Sequence, residues 1–288
     1  MNRFAGPGAK RKRVLFVGEA VTLAHVARPA ALAAALDADR FDIHFAADPR
    51  FDRLIDGRDW TRHALFSVSP AEFLRALGSG RPLYRLDTLE TYVDADLRLI
   101  RAVEPDIIVG DFRLSLAVSA PVANVPYAAL INAYWSPYVA VRYRAPELPW
   151  VRFVPATVAD TVFRAARPIA FRHHAGPLNS LRRSYGFPPF GSDLRAAYSH
   201  ADYALYPDIP QLMPAQDLPH SHRYLGPILW SPEISFPSWW RSWPEDKPVV
   251  YVNLGSSGPV ELLDVLVTAL AELPVTVLVA TAGRLRYQ

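Results

Sequence analysis

The stretch from Arg13 to Leu36 constrains the fold of this chain more than any other part. It begins with an apolar run, Val14 to Val17, that is typical of a buried strand. Gly18 interrupts the run, and a short loop that carries His25 leads to an Ala/Leu-rich segment from Pro29 to Leu36, which we predict to be a helix. Proline suits a first helical turn, because its missing N–H would be unpaired there in any case. A strand, a loop and a helix in series form the first half of a βαβ unit.

The same alternation of strand and helix continues along the chain. Apolar or alternating runs predict strands at 41–47, 64–68, 106–110, 126–131 and 204–206, and helical spacing of apolar residues predicts helices at 83–103, 114–122 and 178–185. The pattern restarts after residue 248, with strands at 249–254 and 275–280 on either side of a helix at 259–273. Repeated units of this kind form doubly wound α/β domains with a mostly parallel sheet. The sequence therefore predicts the α/β fold class.

These patterns divide the chain into four segments. Residues 1–12 are a basic tail that we expect to be disordered, and residues 13–225 are a first Rossmann-like domain. Residues 226–248 contain five prolines and four tryptophans, so we expect an extended interdomain linker whose aromatic rings serve packing. Residues 249–288 hold only the first βαβ unit of a second Rossmann-like domain.

Composition excludes several classes of protein. With 51% hydrophobic and 20% charged residues, the chain of 288 residues is expected to fold. It has no cysteine, which excludes disulfides and thiolate metal sites, and no histidine cluster predicts a metal centre. The basic run Lys10–Arg13 stands alone, so we expect no nucleic-acid partner. We see no transmembrane run and no signal peptide, and we expect a cytoplasmic protein.

Polar and aromatic side chains follow three of the predicted strands. His25 follows the first strand, Asp111 ends another, and Asn132, Tyr134 and Trp135 follow a third. In parallel sheets, ligands bind at the carboxyl ends of the strands. His25 is either a general base or a structural histidine, and Asp111 either orients that imidazole or caps the next helix. The residues alone leave both alternatives open.

A glycine–serine loop joins the strand and helix of the second domain. Gly255, Ser256, Ser257 and Gly258 could present N–H groups and hydroxyls to a phosphate at the helix N-terminus. The loop lacks the lysine of a phosphate-binding Walker A loop, so an ordinary turn is an equal alternative.

Four stretches resemble family 1 glycosyltransferases of the GT-B fold, in particular the macrolide and UDP-glycosyltransferases. They are VTLAHVARPAALAAAL at 21–36, PDIIVGDFRLSLAVSA at 105–120, the LGPILWSP–PSWW segment at 225–240 and the segment at 249–283. The resemblance implies an inverting hexosyltransferase that moves a sugar from a UDP-type donor to a hydroxyl of a small, apolar acceptor. It implies no metal and no other cofactor.

The resemblance also assigns residue roles. It implies that His25 is the general base, although Ala24 stands where the family often has glycine, and that Asp111 orients it. It places acceptor binding at Asn132, Tyr134 and Trp135, and donor-diphosphate binding at Gly255, Ser256 and Ser257.

The second domain departs from the family pattern. The HGG-containing loop and the late Asp/Gln pair of the family do not occur before Gln288, so we expect a truncated chain. The alternative function is a non-catalytic, acceptor-binding fragment without a donor site. A third hypothesis is a UDP-N-acetylglucosamine epimerase of similar fold. The sequence of residues 225–283 resembles the transferases more than the epimerases, which disfavours this hypothesis.

Overall fold

The computed structural model describes residues 10–55, 59–146, 150–231, 235–240, 242–243, 246–255, 258 and 260–281. Contacts divide the chain into two units, Met1–Trp230 and Ser231–Gln288. Residues 226–230 of the predicted linker therefore fall in the first unit.

The first unit is built on a seven-stranded sheet flanked by helices. Its strands are β1 Lys12–Gly18, β2 Phe41–Ala47, β3 Thr61–Ala64, β4 Ile107–Asp111, β5 Tyr127–Leu130, β6 Tyr203–Tyr206 and β7 His222–Tyr224. Its helices are α1 Ala24–Ala34, α2 Asp52–Ile55, α3 Pro70–Gly78, α4 Leu86–Val103, α5 Leu116–Val122, α6 Ala156–Ser184 and α7 Leu194–Tyr198. The strand order is β3-β2-β1-β4-β5-β6-β7, and every pair is parallel. The predicted α/β class is confirmed.

The central strand β1 is buried on both faces. Val14 and Phe16 pack into one hydrophobic cluster, and Leu15 and Val17 pack into a second cluster on the opposite face. Successive side chains of a strand point to opposite faces, so helices on both sides of a parallel sheet require an unbroken apolar run. This requirement explains why the sequence of β1 shows no alternation.

The strand order reverses direction between β1 and β4. From β1 the chain passes through α1 to β2 on one side, whereas β4 lies on the other side and leads outward to β7. Gly18 at the end of β1 is in register with Asp111 at the end of β4. Crevices that bind ligands in open α/β sheets lie at such reversals, outside the carboxyl ends of the strands.

The predicted start of α1 at Pro29 is wrong. The helix begins at Ala24, so His25 lies in its first turn and not in a loop. The Ala27 N–H donates to the Leu23 carbonyl oxygen, which closes the first turn ahead of the proline. Pro29 lies inside the helix and has no N–H to donate to the His25 carbonyl oxygen. That oxygen lies beside Gly18 instead, where an added Cβ atom would come within 2.8 Å of it.

Other boundaries also differ from the predictions. Helix α6 is 29 residues long and contains two prolines. Because proline usually ends a helix, the sequence predicted only its last turns. The strand predicted at 64–68 is β3 at 61–64, and α3, α7 and β7 were not predicted. The tail predicted at 1–12 is too long, because Lys12 opens β1 and pairs with Asp106 at 2.9 Å.

The second unit contains a parallel pair of strands and a helix. Strand β8 Val249–Asn253 pairs with β9 Thr276–Ala280, and α8 Glu261–Ala271 connects them. The βαβ unit that the sequence predicts here is confirmed. Rings of the Pro/Trp-rich segment pack on one another, with Trp240 5.1 Å from both Phe236 and Trp243.

Candidate active site

His25 and Asp111 meet at the point where the strand order reverses. The Nδ1 atom of His25 lies 2.8 Å from Oδ1 of Asp111. The carboxylate is fully buried, whereas the imidazole keeps 19% of its surface exposed. With its proton on Nδ1, the imidazole donates to Asp111 and leaves Nε2 as a free base. The two predicted residues are therefore in contact, and one of them can reach a ligand.

Arg28 completes this cluster and was missed by the sequence analysis. Its Nε donates to Oδ2 of Asp111 and its Nη2 donates to Oδ1, both at 2.8 Å. Its Nη1 donates to the Asn132 side-chain oxygen, and its Nη2 lies 3.0 Å from Nδ1 of His25. Residues three apart on a helix lie side by side, so the spacing of His25 and Arg28 on one helix was the available signal. The fork fixes the carboxylate with two charge-assisted hydrogen bonds.

Phe112 forms one wall of the site. Its ring stacks on the His25 imidazole, with centroids 4.7 Å apart and planes 11° from parallel. Its backbone has a φ of 59°, in the left-handed region that bulky residues rarely adopt. Such strain persists only where the surroundings determine the conformation, and it occurs often at functional sites.

A buried ion pair lies directly beneath this turn. Glu19 and Arg113 are both fully buried, and Nη1 of Arg113 donates to Oε2 of Glu19 at 3.0 Å. The Tyr92 hydroxyl donates to the other Glu19 oxygen at 2.8 Å and accepts the Val68 N–H at 2.7 Å. Burial raises the pKa of Glu19 from its ordinary value, although Arg113 acts in the opposite direction. The Glu19 backbone N–H also donates to the Asp111 carbonyl oxygen.

Asp96 is the second carboxylate of this buried network. Nε of Arg113 donates to one of its oxygens at 3.0 Å. The hydroxyls of Ser115 and Ser119 donate to the other oxygen at 2.5 and 3.1 Å. The guanidinium of Arg113 thus joins α4 to the loops after β1 and β4, which carry the backbone on either side of the site.

A row of aromatic rings extends from the imidazole toward the predicted acceptor residues. Phe112 packs edge-on against Tyr198 at 5.6 Å, and Tyr198 packs against Trp135 at 5.0 Å. Trp135 in turn meets Tyr134 at 4.8 Å. The structure therefore connects Trp135 to His25 through two intervening rings and Tyr134 through three.

A cavity of about 700 Å³ opens between α3, the segment after it and the start of α4. Its lining includes Val68, Leu83, Tyr84 and Leu86. The Tyr84 ring lies 6.5 Å from Phe112. The cavity is thus two rings away from the imidazole.

The predicted donor residues lie in the second unit. Gly255 has a φ of 67°, and its N–H donates to the Asn253 side-chain oxygen at 2.8 Å. Ser256 and Ser257 lie outside the described residues, and their roles stay predictions.

The described residues hold neither a candidate metal centre nor a membrane-spanning helix. No group of three or more His, Asp or Glu side chains there could hold a metal ion. Among the described helices, none is both long and apolar enough to cross a membrane.

Comparison with known proteins identifies the family. No protein-family model matches the chain. A PGL/p-HBAD biosynthesis glycosyltransferase of Mycobacterium tuberculosis is 48% identical over 96% of this chain, which spans 65% of that relative's length. A PGL/p-HBAD biosynthesis rhamnosyltransferase of Mycobacterium bovis is 48% identical over 97% of this chain and 63% of its own length. An inactive PGL/p-HBAD biosynthesis glycosyltransferase of the same species is 46% identical over 92% of this chain and 72% of its own length. The chain belongs to the same family of glycosyltransferases as these relatives.

Solved structures show the fold that this glycosyltransferase family member shares. The glycosyltransferase SsfS6 of Streptomyces sp. SF2575, complexed with thymidine diphosphate, has a TM-score of 0.60 at 17% identity, covering 96% of this chain and 70% of its own. The spinosyn rhamnosyltransferase SpnG, complexed with spinosyn aglycone, has a TM-score of 0.58 at 17% identity, covering 93% of this chain and 64% of its own. The resemblance to GT-B glycosyltransferases that the sequence indicated is confirmed.

Proposed function

We propose that this chain carries the acceptor side of a glycosyltransferase site, in which His25 is the general base. The observation that carries the proposal is the contact of a partly exposed imidazole with a buried carboxylate at the reversal of strand order. The membership of the family supports sugar transfer as the reaction class.

In the proposed reaction, Nε2 of His25 takes the proton of an acceptor hydroxyl while the oxygen attacks the anomeric carbon of the donor sugar. The bond between that carbon and the diphosphate oxygen breaks, and attack from the opposite face inverts the configuration. Asp111 accepts a hydrogen bond from the Nδ1–H group of His25. This hydrogen bond fixes the tautomer of the imidazole and stabilises the imidazolium that forms. The diphosphate leaves with its bonding electron pair.

The donor is proposed as a nucleoside diphosphate sugar. The sequence resemblance favours UDP, one relative is named a rhamnosyltransferase, and one neighbour of similar fold was solved with thymidine diphosphate. Gly255, Ser256 and Ser257 remain the proposed diphosphate contacts.

The acceptor is proposed as a small apolar molecule with a hydroxyl. The partly exposed rings of Tyr134 and Trp135 offer apolar surface at the end of the aromatic row that begins beside the base. An aromatic hydroxyl compound would stack on such rings, and ring pairs contribute about 0.5–1.5 kcal/mol beyond the area they bury.

Removal of the imidazole tests the assignment. We expect His25→Ala to lower turnover by about 10²–10⁴-fold, the usual contribution of a general base. The assay incubates the chain with UDP- and TDP-sugars and a phenolic acceptor and detects the glycoside by mass spectrometry. His220→Ala, an exposed histidine of the same unit, is the matched control. Equal turnover in His25→Ala and His220→Ala would refute the role of His25.

A second candidate function is acceptor binding without catalysis. One relative, 46% identical to this chain, is named inactive, which favours this candidate. Titration calorimetry with UDP-glucose and with TDP separates the two functions. Donor binding that is lost in Gly255→Val supports the transferase, whereas acceptor binding without any donor binding supports the second candidate.

A further inference from the structure

The first half of α6 presents an apolar stripe on the surface of the unit. Val158, Val162, Ala165 and Ile169 recur at spacings of four, three and four, which places them on one face of the helix. Val158 and Val162 are about half exposed and Ile169 is 74% exposed. Phe153, just before the helix, is 81% exposed.

The opposite face of α6 is the one that packs. Asp160 on that face accepts hydrogen bonds from the Arg144 guanidinium and the Ala145 N–H. Further along, Ala175, Leu178 and Leu181 enter the hydrophobic core. The helix is therefore anchored by its other side, and the stripe has no apolar partner among the described residues.

The charge around the stripe has one sign. Between residues 150 and 184 the sole acidic residue is Asp160, which the ion pair with Arg144 already neutralises. Arg152, next to Phe153, and Arg172, three residues after Ile169 at the margin of the stripe, are exposed. We call this surface, formed by Phe153, Val158, Val162, Ile169, Arg152 and Arg172, the basic apolar face.

We propose that the basic apolar face binds an anionic membrane surface. Helices that lie in the membrane interface combine an apolar face with arginines at its margins, so that aliphatic side chains enter the acyl boundary and guanidinium groups meet lipid phosphates. A two-fold dimer through the same face would bring its own arginines together, which disfavours a second copy as the occupant. The chain would thus rest on the bilayer surface through α6. This binding does not depend on the transferase proposal.

Vesicle flotation tests the proposal with the full chain. We expect the chain to float with vesicles of phosphatidylcholine and phosphatidylglycerol, and to do so less in high salt or with phosphatidylcholine alone. Arg152→Glu/Arg172→Glu should weaken the partition coefficient by about fivefold for each arginine whose attraction to the lipid is lost. Val162→Asp/Ile169→Asp should weaken it further, because two charged groups would then face the acyl chains.

Two control pairs match these changes elsewhere on the surface. Arg98→Glu/Arg101→Glu reverses two exposed arginines of α4, and Leu212→Asp/Leu229→Asp places charges on two exposed leucines. Circular dichroism checks that every variant is folded. Controls that lose binding as much as the α6 variants would overturn the proposal, and so would a chain that does not float with anionic vesicles. A dimer in sedimentation that Val162→Asp/Ile169→Asp dissolves would assign the face to a second copy instead.

Discussion

The Asp111 carboxylate is shared between a histidine and an arginine, and this sharing fixes the positions of all three side chains. A buried carboxylate has more acceptor sites than the single N–H of an imidazole can fill. Arg28 supplies a permanent positive charge to the same carboxylate through both of its oxygens. We infer that Arg28 is a positioning residue that holds the Asp111 carboxylate in place for the Nδ1–H group of His25.

Replacement of Arg28 tests this inference at the residue scale. In Arg28→Met we expect the free energy of unfolding to fall by about 1.5–3 kcal/mol, because the buried Asp111 carboxylate then loses its two charge-assisted hydrogen bonds. Urea unfolding measures this loss. The experiment needs no sugar donor.

The charge-preserving variant and a distant arginine serve as controls. Arg28→Lys keeps the charge but loses the two-pronged geometry, so an intermediate loss of stability is expected. Arg101→Met on the exposed side of α4 should leave the stability unchanged. Equal stability of Arg28→Met and Arg101→Met would contradict the inference.

At the scale of secondary structure, the close packing of α1 on β1 depends on a proline in the helix, Pro29, and a glycine in the strand, Gly18. Pro29 deprives the His25 carbonyl oxygen of its helical donor, and Gly18 leaves room for that oxygen beside the strand. The closeness of this approach places the imidazole over the end of β4. A glycine is needed here for space, since its φ is not in the left-handed region.

A methyl group at this contact should push the helix away from the strand. We expect Gly18→Ala to lower the free energy of unfolding by about 1–3 kcal/mol, the usual cost of overpacking, and urea unfolding measures it. Gly78→Ala is the control, because nothing lies within 4 Å of its added Cβ atom. If Gly18→Ala is as stable as Gly78→Ala, then α1 can shift away from β1 without a loss of stability, and the prediction is wrong.

At the scale of the whole molecule, the two units differ in how much apolar surface they bury. The first unit holds three hydrophobic clusters around a seven-stranded sheet. Among the described residues of the second unit, only Val252 and Leu263 are buried. A two-stranded sheet with so small a core has little independent stability.

This difference predicts the pattern of amide hydrogen exchange. Amides of β1 and β4 should exchange only through global unfolding, whereas amides of β8 and β9 should exchange through local opening and therefore much faster. Mass spectrometry of deuterated peptides reads both regions in one sample. Equal protection of β1 and β8 would refute the prediction.

The sequence by itself determined the features that depend on local pattern. Apolar runs such as Val14–Val17 and the helical spacing in α4 specify element type, and their alternation specifies a parallel α/β sheet. The same pattern identified His25 and Asp111 as candidate site residues, because each lies near a strand end. Polar or proline-containing segments carry no such signal, which is why most of α6 was not predicted.

The tertiary structure alone decided which of these residues meet. Strand order places β4 beside β1, and this adjacency joins Asp111 to His25 across 86 residues of sequence. The same packing recruits Arg28 to the pair and buries Glu19 with Arg113. Hydrogen bonds and ion pairs select partners by distance in space, and a periodicity along the chain carries no information about that distance. The contacts of the site therefore form only when the sheet assembles, and the order of its residues along the chain does not show them.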